Sequence, residues 1–160
     1  MTRWLTRYGP EPWLWLVMAL ALAACSSESS PEAEVRALVA QAQTAAEQRN
    51  VRELRALIAD DYADAQGHDR KAVENLIRLH VLRHRSVHLF VRVGDIEFPE
   101  PERARVSVAA AMAGRPVAHA DELVGLRADL YRFDLDLVRR GGEWLVRGAA
   151  WQPARLEDFW

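Results

Sequence analysis

The strongest restriction on the fold of this chain is a glycine pair, Gly141-Gly142, between two segments in which apolar and polar residues alternate. Such alternation predicts β-strands, and paired glycines tolerate the positive φ angles that a two-residue hairpin turn requires. If the pairing of the two strands shifted by one residue, the charged side chains would lie on the apolar face, so the pattern specifies one register. Counted outward from the turn, the predicted facing pairs are Arg140 with Glu143, Arg139 with Trp144, Val138 with Leu145, Leu137 with Val146, Asp136 with Arg147, Leu135 with Gly148, and Phe133 with Ala150.

A second hairpin is predicted upstream, around the turn Pro99-Glu100-Pro101-Glu102. Apolar residues alternate both before and after this turn, which is the pattern of two strands. If those four residues form the loop, the facing pairs are Phe98 with Arg103, Val93 with Val108, Val91 with Ala110, and Leu89 with Met112. The last three pairs lie on one apolar face of the sheet.

Helical spacing dominates the chain before these strands. Apolar residues recur every three to four positions over residues 31–48, and Ser29 or Ser30 can cap the helix that this spacing predicts. A short second helix follows, and turn-forming residues at 60–68 surround Tyr62 and include a short strand. A third helix is predicted over residues 70–84, with an inward stripe of Val73, Leu76, Ile77 and His80.

Helices followed by a meander of antiparallel strands predict an α+β domain. The segments LRALIADDYADAQG and GGEWLVRGAAW resemble the nuclear transport factor 2-like superfamily, which includes ketosteroid-isomerase-like and polyketide-cyclase-like proteins. The resemblance covers about residues 31–153 and leaves 154–160 as a C-terminal tail. It implies three helices packed in the concave face of a curved, mainly antiparallel, cone-shaped sheet of the cystatin-like kind. Members often have a pocket at the wide end of the cone.

The amino terminus has the order of features that is typical of an export signal. Arg3 and Arg7 precede an uncharged run of 12 residues at 13–24, which is shorter than the about 20 residues that a membrane-spanning helix needs. The run ends in Leu22-Ala23-Ala24-Cys25, which resembles the lipobox of bacterial lipoproteins. The resemblance implies that residues 1–24 are a signal peptide, removed after a diacylglyceryl group is attached to the Cys25 thiol.

The same resemblance implies that the new amine of Cys25 is acylated, for example by palmitate, so that several chains hold the protein on a membrane. Residues 25–30 then form the lipidated cysteine and a serine-rich tether. Ser26 directly after the cysteine is compatible with the outer membrane, facing the periplasm, if the cell is Gram-negative. We therefore expect a cell-envelope location. An ordinary secretory signal beside an accidental cysteine is the competing interpretation.

Charge excludes one large class of function. Removing residues 1–24 takes away Arg3, Arg7 and Glu11, which leaves 19 basic and 22 acidic residues and a net charge of -3. A weakly acidic domain without a basic block is not expected to bind nucleic acid. The single cysteine also excludes an intramolecular disulfide.

The predicted inner face of the cone supplies the candidate site. Large side chains there face small ones (Ala110, Gly148 and Ala150), so the interior either contains a void or is filled by the helices. Asp129 shares the parity of Tyr131 and could act as a general base with Tyr62 or Tyr131, or it could face water beside an arginine. The candidate pocket residues are Tyr62, His80, Asp129, Tyr131, Phe133 and Trp144.

No residue is assigned a catalytic or metal-binding role. His80 and His84 have the spacing of a helical metal site, but the intervening residues lack the glutamate of the metalloprotease motif, and Arg83 disfavours a cation. No catalytic residue is carried over from the superfamily, and no cofactor is expected. His80 is more simply explained as a hydrogen-bonded residue at the edge of the core.

Three functions follow as expectations. The first is a membrane-anchored lipoprotein with a non-catalytic domain that binds a small apolar ligand or an envelope protein. The alternative is a lipid-anchored acid–base enzyme (isomerase, dehydratase or hydrolase) that uses Asp129 and a tyrosine in the cone. The third is an assembly module that forms a homodimer through its sheet.

Overall fold

A computed structural model describes residues 29–83 and 88–160 of the chain. The helices are α1 (Pro31–Glu47), α2 (Val51–Ala56) and α3 (Arg70–Arg83), and the strands are β1 (His88–Glu100), β2 (Arg103–Ala113), β3 (Ala128–Arg140) and β4 (Glu143–Pro153). The four strands form one antiparallel sheet in the order β1-β2-β3-β4. The predicted α+β class, with three helices and a curved antiparallel sheet, is therefore confirmed.

Each helix begins at a polar side chain that satisfies its first free amides. The side chains of Ser30, Asn50 and Asp69 accept hydrogen bonds from the backbone N–H groups three residues ahead, at 3.2, 3.2 and 2.8 Å. Ser30 is thus the cap of α1, while the hydroxyl of Ser29 donates to the carboxylate of Glu34 at 3.2 Å. Local capping chemistry alone explains where these helices start.

The inward line of α3 differs from the predicted stripe. Val73 and Val81 are buried and Ile77 is half-buried, whereas Leu76 and His80 are exposed. Positions 73, 77 and 81 follow one another every four residues, so they lie on one line along the helix. The prediction that Leu76 and His80 face inward was wrong, because each precedes this line by one residue and points about 100° away from it.

The register of β1 and β2 is as predicted away from the turn and different near it. Val93 faces Val108, as the alternation predicted, but Glu100 rather than Phe98 faces Arg103. Two irregularities, between residues 93 and 96 and between 97 and 100, shift the pairing by one residue each. The two strands therefore extend to Glu100 and Arg103, further toward the turn than the predicted four-residue loop would allow.

The hairpin of β3 and β4 follows the predicted register for the four pairs nearest the turn, from Arg140 with Glu143 to Leu137 with Val146. A bulge then changes the pairing, so that Asp136 faces Gly148 and not Arg147, and Phe133 faces Trp151 and not Ala150. Leu135 likewise faces Ala149 and not Gly148, so all three predicted pairs beyond the bulge were wrong. The residues of β4 beyond the bulge consequently lie on the opposite face from the predicted one, whereas Phe133 and Leu135 of β3 keep their predicted inner face.

The bulge coincides with backbone contacts on the other edge of β4. The N–H groups of Ala59 and Ala63 donate to the carbonyl oxygens of Val146 and Arg147 at 2.9 and 3.0 Å. The segment that follows α2 therefore runs beside β4 in place of a fifth strand. It passes so close to Gly148 that a Cβ there would lie 2.9 Å from the carbonyl oxygen of Ala63.

Curvature brings the two edges of the sheet together at the end that carries both hairpin turns, which we call the narrow end. The rings of Phe98 on β1 and Trp144 on β4 lie 6.0 Å apart there, although two strands separate them in the sheet. The carboxylate of Glu34 on α1 accepts from Trp144 Nε1 and from Arg139 Nη2, both at 3.0 Å. These contacts fix α1 inside the cone.

The chain beyond β4 belongs to the folded domain. A short turn of helix at Leu156–Phe159 places the Phe159 ring against Ala109 and Ala111 on the outer face of the sheet. Phe159 is 1% exposed, whereas Trp160 is 59% exposed. Of these two adjacent aromatic residues, one is therefore a core residue and the other is not.

Candidate functional site

The inner face of the sheet changes character between its two ends. Near the narrow end Ala104, Val106 and Leu137 are at most 2% exposed beneath α1. Toward the opposite, wide end the side chains on the same face are only half-buried. We call these residues the wide-end surface: Leu89, Ala110, Met112, Tyr131, Phe133 and Trp151.

The predicted pocket residues are distributed over the molecule. Tyr131 and Phe133 lie together on the wide-end surface, with their rings 6.2 Å apart. Asp129 lies on the same face of β3 as Tyr131, as predicted. It is paired with Met112 of β2 and is exposed. Trp144 is buried at the narrow end, where it holds Glu34. His80 is exposed on α3.

Other residues singled out from the sequence lie outside the described part of the chain or away from the wide-end surface. Cys25, the predicted lipidation site, precedes the described part of the chain. Tyr62 is buried in the segment beside β4, packed with Ile58 and Val73. Gly148 and Ala150, which the regular register placed inside the cone, are replaced on the inner face by Ala149 and Trp151 because of the bulge.

A hydrogen-bonded cluster follows Tyr62 in the chain. Asp64 Oδ2 accepts from the Tyr62 hydroxyl at 3.0 Å and lies 2.9 Å from His68 Nδ1. Asp64 Oδ1 accepts from the backbone N–H groups of Gln66 and His68 at 3.0 and 2.9 Å. The Asp64 side chain is 0% exposed, so the loop is folded around its carboxylate.

This environment keeps Asp64 ionised. Burial by itself would raise the pKa of the Asp64 carboxyl, but hydrogen bonds from the backbone and imidazole of His68 and from the Tyr62 hydroxyl outweigh it, and the pKa is lowered. Burial, with the neighbouring carboxylate of Asp64, raises the pKa of the Tyr62 hydroxyl. Tyr62 is therefore a protonated donor, and Asp64 accepts without donating.

The cluster and the wide-end surface meet at His68. Its imidazole stacks on the indole of Trp151, with the ring centroids 5.8 Å apart and the planes inclined by 26°. The His68 side chain remains 29% exposed. An oriented polar ring thus lies at the border of a half-buried apolar surface, which is the usual composition of a small-molecule site.

Sequence reasoning missed Asp64, His68 and Trp151. The four-residue spacing of Asp64 and His68, in a loop of turn-forming residues, was the signal for the first two, because aspartate commonly bonds backbone amides ahead of it. Trp151 gave no usable signal. Its inward direction depends on the bulge, and therefore on the segment beside β4.

A second concavity lies on the outer face of the sheet. This groove has a volume of about 450 Å³ and includes four charged side chains of β2 and β3 in its lining. They form two ion pairs, Arg105 with Asp136 at 3.6 Å and Arg132 with Asp134 at 3.5 Å. Since exposed pairs such as these contribute little free energy, typically about 0.2–1 kcal/mol, they indicate a solvated charged surface.

Two classes of site can be checked over residues 29–83 and 88–160. Within these ranges the His, Cys, Asp and Glu side chains form no group of three or more that could hold a metal ion. No helix in the described ranges is both long enough and apolar enough to cross a membrane. His84, the other half of the helical histidine pair, lies outside them.

Comparison with known proteins gives similarity of structure without recognisable similarity of sequence. No protein-family model matches the chain, and no curated protein matches its sequence. A ketosteroid isomerase-like protein from Erwinia carotovora atroseptica superposes with a TM-score of 0.57 at 13% identity, covering 77% of this chain and 95% of that one.

Two further solved structures agree in architecture. An NTF2-like protein of unknown function from Pseudomonas putida has a TM-score of 0.56 at 18% identity and covers 81% of this chain and 91% of that one. A domain of unknown function with a cystatin-like fold, from Nostoc punctiforme, has a TM-score of 0.57 at 16% identity and covers 78% and 77%. Identities this low establish the fold alone. The described part of this chain has the nuclear transport factor 2-like fold.

Proposed function

We propose that this protein is a lipid-anchored component of the bacterial cell envelope whose domain binds a small apolar ligand without transforming it. The observation that carries the proposal is the wide-end surface, where three aromatic side chains remain half-buried on the inner face of the sheet. Covering apolar surface is favourable by about 25 cal/mol for each Å² removed from water. A ligand that covers these rings therefore gains affinity from contacts that the domain does not itself complete.

The outer-face groove is a weaker candidate for the same role. Its arginines already pair with neighbouring aspartates, so a charged ligand would have to compete with those pairs. The wide-end surface offers instead aromatic rings together with one oriented imidazole, which combines apolar contact with a polar group. We therefore assign ligand binding to the inner face.

Acid–base catalysis finds less support than binding. One of the two tyrosines considered as a partner for Asp129 is committed elsewhere, because the Tyr62 hydroxyl donates to Asp64. Asp129 itself is exposed at the start of β3. A general base and an electrophilic partner must converge on one substrate, and only Tyr131 shares a face with Asp129.

The anchoring part of the proposal depends on Cys25. Replacing Cys25 with alanine is expected to abolish incorporation of labelled palmitate and to leave the uncleaved precursor, because the thiol is the acceptor of the first lipid. Metabolic labelling and the mass of the purified protein measure both effects. Replacing Ser26 with alanine is the matched control and should leave labelling intact. Acylation of the Cys25→Ala protein would contradict the anchor.

The binding part can be tested by filling the wide-end surface. Ala110 of β2 is paired directly with Tyr131 of β3. Ala110→Phe should therefore place a ring where the ligand would lie and weaken binding of naphthalene at least tenfold. Equilibrium dialysis of the lipidated protein in nanodiscs, against empty nanodiscs, measures the affinity. Ala150→Phe fills the outer-face groove and serves as the control. Loss of binding in Ala150→Phe alone would move the site to the groove.

A further inference from the structure

We infer that His68 is the polar binding group of the wide-end surface, and that it selects apolar ligands that carry a hydroxyl group, namely alcohols or phenols. The inference rests on the proposed function and names the chemistry of its ligand. It starts from the position of the His68 ring, which stacks on Trp151 at 5.8 Å and so borders the apolar surface.

The hydrogen bonds of Asp64 determine which imidazole nitrogen carries the proton. The ionised carboxylate accepts from the Tyr62 hydroxyl and from two backbone N–H groups. An ionised carboxylate has no proton to donate. The contact of 2.9 Å between Asp64 Oδ2 and His68 Nδ1 is therefore an N–H donated by the imidazole.

In the neutral form of the His68 ring, the other nitrogen is an acceptor. In a neutral imidazole one nitrogen donates and the other accepts, so protonation of Nδ1 leaves a free lone pair on Nε2. Within residues 29–83 and 88–160, His68 Nε2 makes no hydrogen bond with a protein group. An acceptor of this kind binds a ligand hydroxyl, and it offers nothing to a ligand oxygen that can only accept.

The geometry is set before a ligand arrives. Asp64 holds one edge of the ring, Trp151 covers one of its faces, and 29% of the side chain remains accessible. A side chain that is already oriented loses little rotational freedom when a ligand binds. Almost all of the free energy of the hydrogen bond at Nε2 should therefore contribute to the measured affinity.

The test compares two probes that differ in one hydrogen-bond donor. 2-Naphthol and its methyl ether, 2-methoxynaphthalene, have the same aromatic rings, and only the former donates a hydrogen bond. On the lipidated protein in nanodiscs, 2-naphthol should bind about tenfold more tightly, a difference of about 1.4 kcal/mol. His68→Phe keeps a ring against Trp151 and should abolish the preference for 2-naphthol, so that the variant binds the two probes equally.

A measurement on the unaltered protein removes any dependence on the variant's folding. The ¹⁵N shifts of the His68 imidazole should show a proton on Nδ1 and none on Nε2, and 2-naphthol should move the Nε2 signal. A proton on Nε2, or a preference for 2-naphthol that persists in His68→Phe, would overturn the inference. Equal binding of both probes would refute the role of His68 and leave the wide-end surface as a binding site. If neither probe binds, both proposals fail.

Discussion

Replacing Phe159 with alanine is expected to lower the free energy of unfolding by about 3–5 kcal/mol. The ring is 1% exposed and packs between the outer face of the sheet and Leu123, so its removal leaves a cavity that rigid backbone cannot fill. A loss of this size should lower Tm by at least about 10 °C. Urea denaturation and thermal unfolding of the full chain measure the effect.

Trp160, the next residue in the sequence, provides a control for Phe159. It is as large as any side chain in the protein but is 59% exposed, so Trp160→Ala should change the free energy of unfolding by less than about 0.5 kcal/mol. An effect of Phe159→Ala as small as that of Trp160→Ala would show that residues 156–160 are not part of the packed domain. Phe159→Leu should give an intermediate loss, since it retains part of the buried surface.

Replacing Asp64 with alanine is expected to lower the free energy of unfolding by about 2–4 kcal/mol, because it leaves four hydrogen-bond donors, one of them on the buried Tyr62, without their acceptor. The groups left unpaired are the Tyr62 hydroxyl, the imidazole N–H of His68 and the backbone amides of Gln66 and His68. Their loss should also release the His68 ring from its fixed orientation. Urea denaturation measures the first effect, and the ¹⁵N shifts of His68 measure the second.

Asp60 is the matched control for Asp64. It lies four residues earlier in the same segment, and its only described partner is the guanidinium of Arg70, with a side chain that is 86% exposed. Exposed ion pairs contribute at most about 1 kcal/mol, so Asp60→Ala should have a small effect. Similar losses in Asp60→Ala and Asp64→Ala would contradict the structural role assigned to the Asp64 carboxylate.

The sign of the pH dependence follows from the lowered pKa of Asp64. A carboxyl whose pKa is lower in the folded than in the unfolded chain contributes stability that is fully present above its unfolded value, about 3.9 for aspartate. That contribution is lost as the pH falls through the folded pKa. Asp64→Asn should therefore remove part of the acid sensitivity of the wild-type protein.

The position of Phe159 also bears on the predicted homodimer. The segments at 120–123 and 156–159 cover the part of the outer face around Ala109 and Ala111. The charged groove lies on the same face, nearer the narrow end, and stays open. Association through the sheet stays a prediction, and on the outer face it would use that charged part unless the segments at 120–123 and 156–159 are displaced.

Much of the fold was predictable because its signals are local. The cap of α1 at Ser30, the turn at Gly141-Gly142 and the pairs of the last hairpin nearest that turn all depend on residues within a few positions of each other. Alternation likewise predicted that Tyr131 and Phe133 share a face. The lipobox at Cys25 is also a local signal, and the envelope location inferred from it stays a prediction.

The sequence by itself determined the helices and strands, their order and the register close to the Gly141-Gly142 turn, because backbone preferences act over a few residues. Only the tertiary structure decided which side chains meet at the wide end. The segment after α2 pairs with the free edge of β4, and the bulge beside it turns Trp151 inward to meet His68. These contacts join parts of the chain more than eighty residues apart, so no local pattern could predict them.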